Sequence, residues 1–267
     1  YVADAQADGG SIHPRLLVLA EALSQFAIVE SYSGPHGTSY FTNAVAEIEE
    51  GDGARVYHYK IQAEGTGAYH VGTTQVVQGR DSMYHSFSFA AGAALSRTNV
   101  YSKLVGDAAE VRLNGLYVAD GTQHADHQTF VEHLAPACVS RELYKGVLDG
   151  RSHGVFNGKV YVDPIAQKTD GKQTNHALLL SDEARVDTKP QLEIFADDVK
   201  CTHGATVGRL DQTALFYMKS RGLPADTARA LLTYAFAAEV LETVELDPLR
   251  LALEERVFER LTHMQQR

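Results

Sequence analysis

The sequence contains no tryptophan and only two cysteines, Cys138 and Cys201, in 267 residues. Two thiols are too few for the disulfide framework that staples small secreted domains. The expected compartment is therefore a reducing one, the cytoplasm, or the plastid stroma if the chain is from a plant. Basic residues are also scarce: 24 Lys and Arg stand against 34 Asp and Glu, a formal net charge of −10. There is no basic run, and without concentrated Lys and Arg nothing neutralises a phosphate backbone, so no nucleic-acid partner is expected. Long apolar runs are missing as well. The richest early stretch, Leu16-Leu17-Val18-Leu19-Ala20, falls far short of the ~20 residues that cross a bilayer, so no membrane span is expected. The first residues, Tyr1-Val2-Ala3-Asp4, have neither the basic flank nor the apolar core of a signal peptide. A chain that begins with Tyr rather than Met reads as a fragment or a trimmed form.

What is present changes character near Val207. Residues 12–206 carry short runs of β-branched, aromatic and aliphatic residues, punctuated by Gly, Asp and Asn. Phe26-Ala27-Ile28-Val29, Ala54-Arg55-Val56-Tyr57-His58-Tyr59, residues 155–162, His176-Ala177-Leu178-Leu179-Leu180 and Leu192-Glu193-Ile194-Phe195 are examples. This is the strand signal. A sandwich, a barrel or a solenoid would each use it. Only two Asn-Gly pairs occur, Asn114-Gly115 and Asn157-Gly158. Scarcity of the cheapest hairpin turn leans toward a parallel β-helix, although no strict repeat is visible.

Residues 207–267 read as three helices. Asp211 is placed to cap the first, which ends at Gly222. Pro224 opens the second as a first-turn proline, with a stripe of Leu232, Phe236, Val240 and Val244 widened by Leu231, Ala235 and Leu241. Asp247-Pro248 starts the third, which carries Leu253, Val257 and Leu261. Each apolar face can be buried among the helices or against a partner chain.

Two constellations bear chemistry. The segment 124–138 contains His124, His127, His133 and Cys138, all natural zinc ligands. In a strand, however, His124 and His127 face opposite sides, and the spacing fits no helical zinc signature. The alternative is a set of histidines packed on a sheet. The second constellation is Lys200-Cys201-Thr202-His203-Gly204-Ala205-Thr206. Cys201 and His203 lie two apart, so in a strand they share a side, and a thiolate beside an imidazole makes half of a soft metal site. Val199 has the same parity, which leaves open an inward-facing, merely structural pair. No Walker A loop is present, so any nucleotide site belongs to another chain.

Residues 116–245 resemble the SufB/SufD family of iron–sulfur cluster assembly proteins, and its SufD branch in particular. The matching stretches include Leu143-Tyr144-Lys145-Gly146-Val147-Leu148, Gly154-Val155-Phe156-Asn157-Gly158-Lys159-Val160 and Ala166-Gln167-Lys168-Thr169-Asp170. The run from Pro190-Gln191-Leu192-Glu193-Ile194 through Asp197-Asp198-Val199-Lys200-Cys201 to His203-Gly204-Ala205-Thr206 is the most specific. The resemblance implies a mainly β fold: a right-handed parallel β-helix (12–206) followed by a small α-helical domain (207–267). It implies a non-enzymatic scaffold that pairs with a SufB-type chain through the β-helix. An ATPase of the SufC type would bind the helices, through the face that carries Tyr234, Phe236, Glu239 and Val240. Such chains also pair with themselves. Cys201 and His203 are then implied to lie at the SufB-facing interface. No cofactor or stable metal is implied in the isolated chain; an iron–sulfur cluster would form transiently in the complex with SufB. SufB carries a Glu directly after the corresponding His; here that position is Gly204, which separates this chain from the SufB branch. Family members usually have further, largely helical, amino-terminal sequence.

Two other readings differ in class. A β-helix carbohydrate lyase or hydrolase would need acids and bases gathered on one face, for which Asp163, Asp170, Asp197 and Asp198 are candidates. A zinc protein would use His124, His127, His133 and Cys138.

Overall fold

The computed structural model describes residues 9–35 and 37–265, so the reading of Tyr1–Asp4 lies outside the described residues. In chain order the strands are β1 (Gly10–Ile12), β2 (Arg15–Ala20), β3 (Gln25–Ser33), β4 (Tyr40–Glu50) and β5 (Arg55–Ala63). Then follow β6 (Tyr69–Gln78), β7 (Met83–Ala90), β8 (Leu95–Leu104), β9 (Glu110–Ala119) and β10 (His124–His133). The last are β11 (Val139–Leu148), β12 (His153–Val162), β13 (Asp170–Leu179), β14 (Arg185–Ile194) and β15 (Lys200–Gly208). After them come helices α1 (Gln212–Ser220), α2 (Ala225–Leu241) and α3 (Asp247–Gln265).

The strands alternate between two sheets. One runs β1-β4-β6-β8-β10-β12-β14 with β2 also beside β4; the other runs β15-β13-β11-β9-β7-β5-β3. All of these pairings are parallel. Met83 pairs with Glu110, and Val139 with Asp170, offsets of 27 and 31 residues that measure one coil. The chain is thus a parallel β-solenoid of about seven turns followed by helices, as expected. Both Asn-Gly pairs sit within strands, β9 and β12, and neither makes a hairpin.

One turn repeats in six successive coils, up to the connection between β12 and β13. Where an even-numbered strand gives way to the next odd one, a single residue takes a left-handed backbone: Leu23, Gly53, Asp81, Ala108, Ala137 and Lys168. The amide of each donates to a carbonyl of the following coil: Asp52, Arg80, Asp107, Pro136, Gln167 and Asp198 in turn, at 2.7–3.0 Å. The ladder satisfies turn amides that would otherwise be left orphaned between stacked coils. Five of the six residues are not glycine and bear the steric cost of that conformation.

Strand alternation sends every second side chain into the bore between the sheets. One apolar cluster there includes Ile48, Val76, Val100, Val111, Leu113, Val131, Phe156 and Val160. Outside the bore, Tyr59, Ile61, Phe87, Phe89, Leu116, Val118 and Val147 form the outer face of the odd-stranded sheet. They share one core with Ala237, Val240, Leu241 and Val244 of the α2 region and with Leu253, Val257 and Leu261 of α3. The helices therefore fold back along the solenoid. Lys145 Nζ anchors α2 by donating to the Phe236 carbonyl at 2.8 Å and pairing with Glu239. Asp211 caps α1 through the Thr213 amide at 2.8 Å. Pro224 occupies the N-cap of α2 rather than its first turn. The buried face of α2 includes Thr233 and Ala237, whereas Ala235, expected on that face, is exposed.

Candidate functional site

The inward rows of the last coils are fixed by register. Ser140 of β11 lies beside Gly171 of β13, and Gly171 beside Cys201 of β15. One step along, Glu142 lies beside Gln173, and Gln173 beside His203. The next row ends in Ala205, and Val207 follows beside Ala177. Cys201 and His203 therefore share the inward side of β15, the parity expected from their spacing.

β15 is the end of its sheet, as β14 is of the other. No described coil closes over either strand. Side chains that would be interior in any earlier coil are consequently open here. Cys201 still packs partly against the main bore cluster, together with Leu192 and Val199. A Cβ on Gly171 would stand 3.4 Å from Cys201 Sγ, ordinary contact that places the sulfur directly over that glycine. His203 is exposed, and so are Ala205 and Val207. Ile194 and Phe195 add apolar surface at the end of β14. Burial, followed by the nearby Asp170 carboxylate, pushes the Cys201 thiol above its usual range, partly offset by a hydrogen bond with the Gly171 backbone. The isolated chain thus presents a protonated thiol, and a soft metal must displace that proton to bind. Gly204 stands in open space, where an added Cβ meets nothing within 4 Å.

The histidine-rich segment does not assemble a site. His127 points into the bore between Tyr117 and Tyr144, with ring centroids 4.9 and 5.4 Å away. Burial, with a smaller contribution from Lys60, lowers its pKa to about 3, so the ring is neutral. His133 is also inside, 2.9 Å from the Ser140 hydroxyl. Cys138 donates weakly to the Gly106 carbonyl at 3.4 Å, and burial pushes its thiol up to about 11. His124 lies on the outer face against His153. The proposed zinc set is divided by strand alternation, and among the described residues no group of three or more His, Cys, Asp or Glu is placed to hold a metal ion. The carboxylates weighed for sugar chemistry are also dispersed. Asp170 pairs with Arg141 at 2.7 Å, Asp198 pairs with Lys168, and Asp163 accepts from the Ile165 amide at 3.1 Å.

The four residues assigned to an ATPase-facing surface lie in different surroundings. Val240 has no exposed surface and belongs to the core shared with the solenoid. Phe236 is half-buried beneath Lys145 Nζ, 4.5 Å from its ring centroid. Tyr234 meets Phe258 edge-on at 5.8 Å. Glu239 remains 64 % exposed despite its pairing with Lys145. Sequence reasoning expected the helix α1 but gave it no surface role; it contributes no buried residue and holds Phe216 and Tyr217 at 71 % and 58 % exposure. The signal available was the adjacency of two aromatics in a short helix that lacks a complementary stripe.

No described helix is long and apolar enough to cross a membrane. A family model described as "SUF system FeS cluster assembly, SufBD core domain" matches residues 1–236. An iron–sulfur cluster assembly SufBD family protein of Synechocystis is 38% identical over 90% of this chain and 54% of its own length. The iron–sulfur cluster assembly protein SufD of Escherichia coli is 37% identical over 92% of this chain and 58% of its own length. A protein of Arabidopsis thaliana whose name marks it as chloroplastic is 34% identical over 86% of this chain and 49% of its own length. The chain thus spans about half the length of the curated relatives it matches.

Proposed function

Because the chain belongs to the SufBD family of SUF-system iron–sulfur cluster assembly proteins, we propose that it is a non-catalytic scaffold of the SufD type. Its solenoid (12–206) pairs with a SufB-type chain through the open end, and its helices (207–267) receive a SufC-type ATPase. The observation that carries this reading is the uncapped last coil. β14 and β15 are both terminal strands, and an unprotected edge is a template for a second chain. Terminal repeats of solenoids normally end in a polar cap; this one ends in Ile194, Phe195, Ala205 and Val207, all exposed. A thiol and an imidazole sit on that surface, and each can contribute to a cluster whose remaining ligands come from the partner.

Iron and sulfide are the cargo. The proposed work of this chain is to hold Cys201 and His203 at the interface while ATP hydrolysis on the helix-bound subunit alters the contact between the two scaffolds. The ATPase would meet the exposed part of the helical tail: Glu239, the edges of Tyr234 and Phe236, and the exposed aromatics Phe216 and Tyr217, the latter with Arg221 over its ring. Val240 supports that surface from below by fixing α2 to the solenoid.

Co-purification with SufB-type and SufC-type chains tests the arrangement. Ala205→Lys together with Val207→Lys is expected to abolish pairing with the SufB-type chain and to preserve binding of the ATPase. Undiminished pairing, or a chain that forms only homodimers beside both partners, would refute it.

A further inference from the structure

Gln173 lies between a buried carboxyl group and the exposed imidazole of His203. Register places it beside Glu142 on one side and His203 on the other, all three on inward positions of successive coils. Strands in a sheet are ~4.8 Å apart, so inward side chains of one row stack upon each other. Gln173 is 1 % exposed. Its Nε2 donates to Glu142 Oε1 at 3.0 Å, and the other carboxyl oxygen of Glu142 accepts from Thr129 Oγ1 at 2.6 Å. The orientation of the Gln173 amide is thereby set: the nitrogen is committed to Glu142. Its Oε1 is buried and has no hydrogen-bond partner among the described residues. Across the bore stands Gly158, where an added Cβ would come within 2.3 Å of Gln173 Nε2. The space for this amide exists because that position has no side chain.

A buried acceptor without a donor is destabilising, and the next side chain in its row carries a donor. We infer that Gln173 is a positioning residue for His203, accepting a hydrogen bond from one ring nitrogen through Oε1. The other nitrogen is then left unprotonated and directed at the open end. Metal-binding histidines are commonly oriented in this way by an acceptor behind the ring, which fixes the tautomer and raises the basicity of the ligating nitrogen. Here the acceptor is itself held by Glu142 and Thr129, so the orientation of an exposed imidazole is set from the interior of the solenoid. The inference rests on the proposed role of His203 at the interface, while the bond itself, which forms once the exposed ring turns toward the unpartnered Gln173 Oε1, involves this chain alone.

The test separates the two. In the ¹⁵N-labelled chain at about pH 8, the His203 ring nitrogens are expected to show one dominant tautomer. Gln173→Met removes the acceptor at similar size and is expected to return His203 to a mixture of tautomers with an unchanged circular dichroism spectrum. Gln173→Glu, which restores an oxygen, is expected to restore the preference. An identical tautomer ratio in wild type and Gln173→Met would overturn the inference. In the complex with SufB-type and SufC-type chains, Gln173→Met is expected to slow cluster formation roughly 10-fold, the size typical of loss of an outer-shell partner. A tautomer change with no effect on assembly would refute the positioning role, whereas normal assembly by Cys201→Ala/His203→Ala would refute the site itself.

Discussion

Glu142 offers a direct check on the solenoid interior. It is 3 % exposed, and two neutral donors, Thr129 and Gln173, serve its carboxyl group. Burial outweighs both and pushes its pKa from 4.5 up to about 7. An acid whose pKa rises on folding holds its proton more tightly in the native state. Below the unfolded value of 4.5 both states are protonated and the effect on stability is nil. Between 4.5 and about 7 only the unfolded chain ionises, so stability falls as pH rises; above about 7 the loss is complete. At ~1.4 kcal/mol per pH unit, that interval corresponds to ~3 kcal/mol. Glu142→Gln removes the titration while leaving a group that can share hydrogen bonds with Thr129 and Gln173. Urea unfolding followed by far-ultraviolet circular dichroism suits a chain without tryptophan. Measured through this pH range, the variant is expected to gain on wild type by up to ~3 kcal/mol, with the gain appearing between pH 4.5 and 7. Glu50, another buried acid with its pKa raised to about 8, contributes equally to both proteins and cancels in the difference. A wild-type-minus-variant difference that stays flat with pH would refute the reasoning.

Replacing Ala108 or Ala137 with Gly at their left-handed turns (φ 57° and 59°) is expected to stabilise the solenoid by about 0.5–1 kcal/mol each, measured by the same unfolding curves. Leu241→Ala opens a cavity in the core between α2 and the solenoid and is expected to cost about 2–5 kcal/mol; hydrogen exchange in the helices would rise before exchange in the strands. Iodoacetamide is expected to label Cys201, which is half-buried, in preference to Cys138, which is buried. The Cys201 rate should still be climbing as pH passes 9.0, because burial raises its thiol above that value; a rate that levels off below neutral pH would contradict this.

The fold was legible where residue type and conformation agree. Runs such as Phe26–Val29 and residues 155–162 lie in strands, and Asp211 caps the helix it precedes. The coil repeat was hidden because its most regular feature is conformational. The six stacked left-handed positions are occupied by Leu, Gly, Asp, Ala, Ala and Lys, which share a hydrogen-bond pattern and no side-chain chemistry. The shared inward parity of Cys201 and His203 followed from their two-residue spacing. Their unequal exposure did not, because it depends on β15 being the last strand of its sheet. Strand alternation likewise predicted that His124 and His127 would part, but the stacking of His127 on Tyr117 and Tyr144 requires knowing which coils adjoin. The expectation for Ala235 failed because the solenoid, as well as the neighbouring helix, chooses which side of α2 is buried. Gln173 could not be found from sequence at all: its place beneath His203 depends on a register offset of 30 residues.

The decisive measurement is iron and acid-labile sulfide bound by the proposed complex of this chain with SufB-type and SufC-type proteins, after ATP-driven assembly, for wild type and Cys201→Ala/His203→Ala. Equal recovery of all three subunits with most of the cluster lost in the double variant is the result this account predicts. Equal subunits carrying equal iron and sulfide would contradict it.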